Sequence, residues 1–363
     1  MPRSPFLPLD YLPKIPAKSD YKIGIIGAGQ IVNQAHLPAY RKAGFQIVAI
    51  TDERPDAAHE TADRFGVPRA CRNVEELLAT PEIDIVDIAV PARSNPLLSR
   101  QALRAGKHVL VQKPMAETSK EAEAMVQEAS SCGRKLAVNQ QMRWSPSVRA
   151  AANLLQTGFF GELLEASIQI QIRTGWDAWP WLKDHPYPEI YYHSIHHVDT
   201  LRYWLGDPAS LYATLAHSPG CSYAGPTRNY MLFEYPGNLR ASLLVNHHSV
   251  APNDDLVSKF TMEGTEGRCE GTIGLLLNYP LGRSDLLQIS HRELTPNGAL
   301  RLELSGRWFP DAFIGPMSSL MEAISIDSEP ETSGSEVYAT MRLVEAICRS
   351  HETKQSVTIQ AHD

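Results

Sequence analysis

The chain has 363 residues, 43% of them apolar and 21% charged, a length that favours two domains over a single core. Its formal net charge of −7 gives no electrostatic case for nucleic acid or an anionic membrane surface, no apolar run reaches transmembrane length, and the start of the chain lacks the compact apolar core of a signal peptide. Five scattered cysteines (Cys71, Cys132, Cys221, Cys269, Cys348) with no C-x-x-C suit a reducing, cytoplasmic setting and argue against a disulfide framework or a zinc ribbon.

Residues 1–20 carry Pro2, Pro5, Pro8, Pro13 and Pro16, which excludes regular helix. Phe6, Leu7, Tyr11 and Leu12 predict an extended arm that docks on a neighbouring surface. From Tyr21 strands and helices alternate. Strand 22–27 leads to helix 30–43, and strand 45–51 to helix 56–65. A short strand at 69–72 precedes helix 74–79. The run 83–90 is almost continuously branched and apolar, as in a buried parallel strand. Helix 96–105, strand 108–112, helix 119–132 and strand 135–139 complete the series. Six strands with intervening helices predict a doubly wound parallel sheet over 21–145, with ligand at the carboxyl ends of its strands.

The first of those ends is distinctive. Ile23, Ile25 and Ile26 run into Gly27-Ala28-Gly29 and a helix start. Gly27 supplies the backbone angles of a tight turn, and Gly29 lets the main chain approach a pyrophosphate. The helix end adds free N–H groups and a positive dipole. Val32 stands where the G-x-G-x-x-G fingerprint has its third glycine. Asp52 closes the second strand at the distance where an acid bonds a ribose hydroxyl. Gly27, Ala28, Gly29, Gln30, Ile31, Asp52, Pro91, Asn95, Gln112 and Lys113 are therefore the candidate cofactor-binding residues. Asp52 favours NAD over NADP, and Arg54 leaves NADP open.

After Ser145 the texture becomes alternating: 163–172, 211–216, 230–235, 240–247, 259–263, 268–272 and 286–291. These predict a large open antiparallel sheet with a few helices over 146–363. Such a sheet calls for covering by another copy, hence a homodimer or homotetramer. An amphipathic helix at 335–350 and a strand at 356–359 end the chain.

Two stretches could do chemistry. Lys113 follows a buried strand, and its ammonium can hold a substrate oxygen or a cofactor hydroxyl; Lys113-Pro114 is a candidate cis bond. In 191–206, His193, His196 and His197 stand at i, i+3 and i+4. A histidine there could take a proton from a substrate hydroxyl, join Asp199 in a metal site, or simply be a hydrogen-bonded helix residue. Trp176, Trp179 and Trp181 suit stacking on sugar C–H faces, packing, or a subunit contact. His247-His248 reads as structural. No dedicated metal site is assigned.

Together these residues resemble the glucose–fructose oxidoreductase, inositol dehydrogenase and rhizopine-catabolism family (Gfo/Idh/MocA). The carriers are Gly27-Ala-Gly29, Asp52, Ala105-Gly-Lys-His-Val-Leu-Val with Lys113-Pro114, His196 with Asp199, and the closing helix and strand. The resemblance implies an N-terminal Rossmann domain and a C-terminal α/β domain whose open sheet forms the subunit interface. It also implies bound NAD(H) or NADP(H), a sugar or polyol substrate, Lys113 as the motif lysine and His196 as general acid/base. Arg143, Trp144 and the 176–181 loop are candidate substrate contacts. The family's E-K-P is Gln112-Lys113-Pro114 here, and the Asp expected four residues before His196 is Tyr192. Tyr192 or His193 could substitute for it, or Lys113 and His196 could suffice. The departures leave room for a redox-inactive NAD-binding regulator; the scaffold also allows an NAD-dependent glycosidase working by transient oxidation, and His193, His196 and His197 a metal-dependent hydrolase.

Overall fold

A computed structural model of the protein describes residues 9–360; the expectations for Pro2, Pro5, Phe6, Leu7 and Pro8 lie outside them. The chain divides into two compact units. One comprises Pro13–Gln141 with Phe309–Met341, the other Met142–Trp308 with Arg342–Asp363 and Met1–Leu12.

The first unit holds β1 (Lys22–Ile26), α1 (Leu37–Ala43), β2 (Gln46–Thr51), α2 (Pro55–Phe65), α3 (Val74–Leu78), β3 (Ile85–Ile88), α4 (Asn95–Arg104), β4 (His108–Gln112), α5 (Ser119–Ser131) and β5 (Leu136–Asn139). Its five strands are parallel, in the order β2-β1-β3-β4-β5. The expected strand at 69–72 is reduced to one parallel bridge, Ile50 to Ala70, on β2. Pro68 precedes it, and Asn73 already caps α3 by accepting from the Glu76 N–H at 2.8 Å, so too few residues remain for a ladder. Counting that bridge restores the 3-2-1-4-5-6 order of dinucleotide-binding sheets. The helix expected at 30–43 contains a π-helical turn, Val32–His36. Pro38 cannot donate to the helical ladder, and the Leu37 N–H reaches back to the Val32 carbonyl instead.

Phe309–Met341 returns to this unit and brings α8 (Ile314–Ile326). Val138 N–H donates to the Thr332 carbonyl at 2.8 Å. This tie explains why the unit is not contiguous in sequence, as the boundaries 21–145 and 146–363 assume.

The second unit holds α6 (Pro146–Gln156), β6 (Leu163–Gln171), α7 (Ile195–Leu205), β7 (Ser210–Ala216), β8 (Arg228–Glu234), β9 (Arg240–Asn246), β10 (Val257–Gly264), β11 (Gly267–Thr272), β12 (Leu286–His291), β13 (Leu300–Glu303) and β14 (Val357–Thr358). Helix α9 (Gly334–Thr353) crosses the division between Met341 and Arg342. The strands form one nine-stranded sheet, β13-β12-β11-β10-β6-β9-β8-β7-β14. It is antiparallel except that β6 and β9 pair in parallel. Alternate residues face the helices: Trp204 of α7 packs on Phe260 of β10 at 4.8 Å, and its indole donates to the Val148 carbonyl of α6. Asp285 clamps α6 by accepting from Ser145 Oγ and from the Ser147 main chain and hydroxyl, at 2.9–3.1 Å. The opposite face leaves Tyr212, Tyr230 and Leu232 exposed. The described end of the arm is docked on this unit, beside α6: Ser305 N–H donates to the Tyr11 hydroxyl, and Asp10 N–H to Asn153 Oδ1.

Candidate active site

The turn after β1 is built on a steric limit. Gly27 has φ +111°, and a Cβ there would stand 2.4 Å from the Ala89 carbonyl oxygen. Its N–H donates to the Thr51 carbonyl at 2.8 Å, so the ends of β1, β2 and β3 meet at one residue. A Cβ on Gly29 would meet nothing within 4 Å. No protein contact demands glycine there, so the clearance suits a group brought in from outside. Ala28 N–H donates to Asp52 Oδ2 at 2.7 Å, and Arg54 N–H to Asp52 Oδ1 at 2.9 Å. The acid is thereby held against the turn. Asn33 donates its amide to the Ala28 and Gly29 carbonyls, while Val32, in the third fingerprint place, is fully buried. This set fits a dinucleotide: amides for phosphate oxygens, a positioned carboxylate for ribose hydroxyls.

At the carboxyl end of β4 the Lys113–Pro114 bond is cis. Lys113 N–H donates to Gln112 Oε1 at 2.8 Å. Asn95, a candidate cofactor contact, is buried and donates its amide to the carbonyls of Gln112 and Pro114, both at 3.0 Å. It therefore braces the lysine turn from both sides. Burial pushes the Lys113 ammonium down to about 7, because low-dielectric surroundings disfavour the charged form. Pro91 is exposed at the end of β3.

His196 lies near the start of α7, buried, with its ring edge-on to Trp308 at 5.4 Å. The turn before α7, Ile190–Ser194, is π-helical and breaks the α-helical period. His193 and His196 consequently find different ring partners instead of forming one face. His193 packs on Trp176, Trp179 and His247 at 4.9, 5.5 and 4.8 Å. Tyr192 packs edge-on to Trp181 and His185. Among the described residues no group of three or more His, Cys, Asp or Glu is arranged to hold a metal ion. Asp199 makes a buried bidentate pair with Arg143 instead, with Nε–Oδ2 and Nη2–Oδ1 both 2.7 Å. Trp176 is a core residue with Leu182 and Tyr223, and the Tyr223 hydroxyl donates to the Trp176 and Trp179 carbonyls. Trp179 is only partly covered.

Glu189 had no signal as a site residue in the sequence, and His247 reads there only as structural. Glu189 is fully buried and accepts from Ser194 Oγ, Asn229 Nδ2 and, at 3.1 Å, His247 Nε2. His247 in turn meets the Thr174 hydroxyl at 2.6 Å through Nδ1. A carboxylate and an imidazole 58 positions apart carry no local pattern that would couple them.

A doubly wound sheet with a glycine turn, a carboxylate held on that turn and a half-buried lysine at the same sheet edge defines a nicotinamide-dependent oxidoreductase. The comparisons agree. Residues 21–140 match the model of the oxidoreductase family with an NAD-binding Rossmann fold, and 148–270 match the GFO/IDH/MocA C-terminal domain. The chain belongs to the Gfo/Idh/MocA oxidoreductase family. It is 23% identical to 1,5-anhydro-D-fructose reductase of Ensifer adhaerens over 93% of this chain and 98% of the relative. It is 28% identical to D-apiose dehydrogenase of Rhizobium rhizogenes, over 94% and 99%. An oxidoreductase from Agrobacterium radiobacter, solved with NAD+, L-tartaric acid and magnesium, shares the fold with a TM-score of 0.80 at 24% identity, covering 93% of this chain and 98% of that one.

The Arg143–Asp199 pair anchors α7, which carries His196. Asp199→Ala leaves a buried guanidinium without its carboxylate and is expected to cost about 3–5 kcal/mol. Chemical denaturation followed by tryptophan fluorescence measures that loss; a change below about 1 kcal/mol would show that the pair does not hold the helix.

Proposed function

We propose that the protein is an NAD-dependent dehydrogenase of a hydroxyl on a sugar, cyclitol or related polyol. The observation that carries the reading is Lys113, an amine desolvated to about 7 at the same sheet edge as the phosphate turn and Asp52. The main-chain amides of 29–31, at the start of the helix, would hold the pyrophosphate, and Asp52 the adenosine ribose. A nicotinamide held there would supply the acceptor for the hydride leaving the substrate carbon. Lys113 orients the substrate oxygen and offsets the negative charge that grows on it. His196 takes the hydroxyl proton as the carbon is oxidised. The protein's main contribution is orientation. The names of the sugar-processing relatives support the substrate class, and partly covered Trp179 suits stacking on a sugar face.

The test is turnover, followed by reduced-cofactor absorbance, across aldoses, anhydro sugars and cyclitols. His196→Asn is expected to lower kcat by about 100-fold or more, and Lys113→Ala by about 100- to 1,000-fold. Burial depresses the lysine, so its ammonium is populated below about pH 7 and lost above it. Oxidation by the free enzyme should lose kcat/KM as pH rises through that value, and Lys113→Arg, charged throughout, should remove that limb. Failure of every substrate class alongside tight NADH binding would sink the dehydrogenase reading and favour a cofactor-binding regulator.

Asp52 repels a 2′-phosphate, and like-charge juxtaposition costs several kcal/mol. Asp52→Ser should shift the NAD-to-NADP preference toward NADP by about 10-fold or more in kcat/KM. An unchanged ratio would remove Asp52 from cofactor choice.

The exposed sheet face supports self-association. Tyr212 stands opposite Leu232, and Tyr230 opposite Leu244, across β7, β8 and β9. An apolar row on an open sheet is suited to a second copy. Light scattering should find a homodimer or homotetramer in the wild type and a smaller species for Tyr230→Asp/Leu232→Asp; a monomeric wild type would refute the interface.

A further inference from the structure

The first unit contains a buried polar chain that the reaction above does not use. Tyr40 O–H donates to Asp87 Oδ2 at 2.8 Å, and His36 Nδ1 lies 2.7 Å from the same oxygen. Gln112 Nε2 is 3.0 Å from His36 Nε2, and Asn139 Nδ2 is 3.3 Å from it. Gln112 Oε1 accepts from Lys113 N–H at 2.8 Å. His36 and Asp87 are fully inaccessible, and Phe313 covers the imidazole at 5.0 Å.

The proton positions follow from one fixed point. A main-chain N–H can only donate, so the Gln112 atom facing Lys113 must be its oxygen. The other end of the amide is then the NH2 group, which donates. His36 Nε2 must accept from it, so this nitrogen carries no proton. The ring proton is on Nδ1, where it donates to Asp87. Burial and the neighbouring Asp87 carboxylate raise the Tyr40 phenol well above its ordinary value, so it stays a donor. Every hydrogen bond in the chain therefore points toward one carboxylate: Lys113 N–H to Gln112, Gln112 to His36, His36 to Asp87.

We infer that Gln112 is a positioning residue for Lys113, acting as the last link of a one-way relay, Asp87–His36–Gln112, that holds the lysine's main chain and requires His36 to be neutral. This rests on the reading that Lys113 serves the reaction. Bonds aligned in one direction polarise one another in a dry interior, so the relay passes part of the Asp87 charge to the lysine peptide. The amide at 112 decides the protonation of the set. A carboxylate there would offer no hydrogen to His36 Nε2. The imidazole would have to take up a proton and become a cation between Asp87 and residue 112. The relay would keep its net charge but reverse the bond between 112 and 36.

The test uses the full-length protein labelled with 15N-histidine. Long-range proton–nitrogen spectra distinguish bare from protonated ring nitrogens. Between about pH 5 and 8, where an ordinary imidazole changes charge, wild-type His36 should keep one bare nitrogen, Nε2, and one protonated nitrogen, Nδ1. Gln112→Glu should show both nitrogens protonated over the same range. The groups facing the ring in this measurement are Asp87, Tyr40, Asn139 and residue 112. Gln112→Ala should lower kcat about 10- to 100-fold by loosening the lysine's placement. A wild-type His36 protonated on Nε2, or on both nitrogens, overturns the relay without needing any variant to fold. So does a Gln112→Glu spectrum unchanged from wild type. Normal turnover by Lys113→Ala would instead remove the lysine from the reaction while leaving the His36 result standing, so the two failures are distinguishable.

Discussion

Gly27 has room for a hydrogen and nothing larger. With φ at +111° and the Ala89 carbonyl 2.4 Å from where a Cβ would stand, the ends of β1 and β3 approach as closely as two backbones can. That approach draws in β2 through the bond from Gly27 N–H to Thr51 O, and so brings Asp52, the next residue, onto the turn. The carboxyl edge of the sheet is set from this point. Asn95 stands beyond β3, Lys113 at the end of β4 and Asn139 at the end of β5. A side chain at residue 27 would separate the strands and, with them, the groups that face a dinucleotide.

The two units handle buried charge differently. In the first, Asp87 Oδ2 is met by Tyr40 and His36. The lysine at the end of the relay is lowered by desolvation. In the second, Asp199 has a full guanidinium partner in Arg143, and Glu189 is met by His247, Asn229 and Ser194. A buried ion pair fixes geometry because breaking it strands a charge. A neutral relay fixes direction, because each donor has only one way to point. The ion pair holds the helix that carries His196, and the neutral set ends on the main chain of Lys113.

Much of this was legible in the sequence. The Rossmann unit announced itself through period: branched runs at 22–27, 45–51, 83–90 and 108–112, with glycine stops after helices. The second sheet announced itself through alternation, because one face is packed and the other is open. What stayed hidden lacked a periodic signature. Helix α8 is buried at Ile314, Met317, Leu320, Met321 and Ala323, so it shows no polar face to mark it. Strand β13 is exposed along most of its length and shows no apolar face. The parallel pairing of β6 with β9 joins residues far apart in sequence, and alternation is blind to strand direction.

The site divides along the same line. Gly27, Asp52, Lys113 and His196 stand in motifs whose local form reveals the backbone beneath them. Arg143, Asn95 and Trp176 were legible as residue types but not as partners. Arg143 looked available to a substrate, yet Asp199, 56 positions on, takes its guanidinium. Trp176 looked like a stacking surface, yet Tyr223 anchors its carbonyl and buries it. Asp87 is the extreme case. It sits inside Ile85–Ile88, where a carboxylate among branched residues looks like an interruption of a strand. Only the fold shows that Tyr40, His36 and, through His36, Gln112 converge on it. A polar residue in an apolar strand has to be satisfied from other elements, and those elements here lead to the main chain of Lys113. The departure at 112 is therefore tied to the histidine at 36: an amide fits where the imidazole beside it must accept.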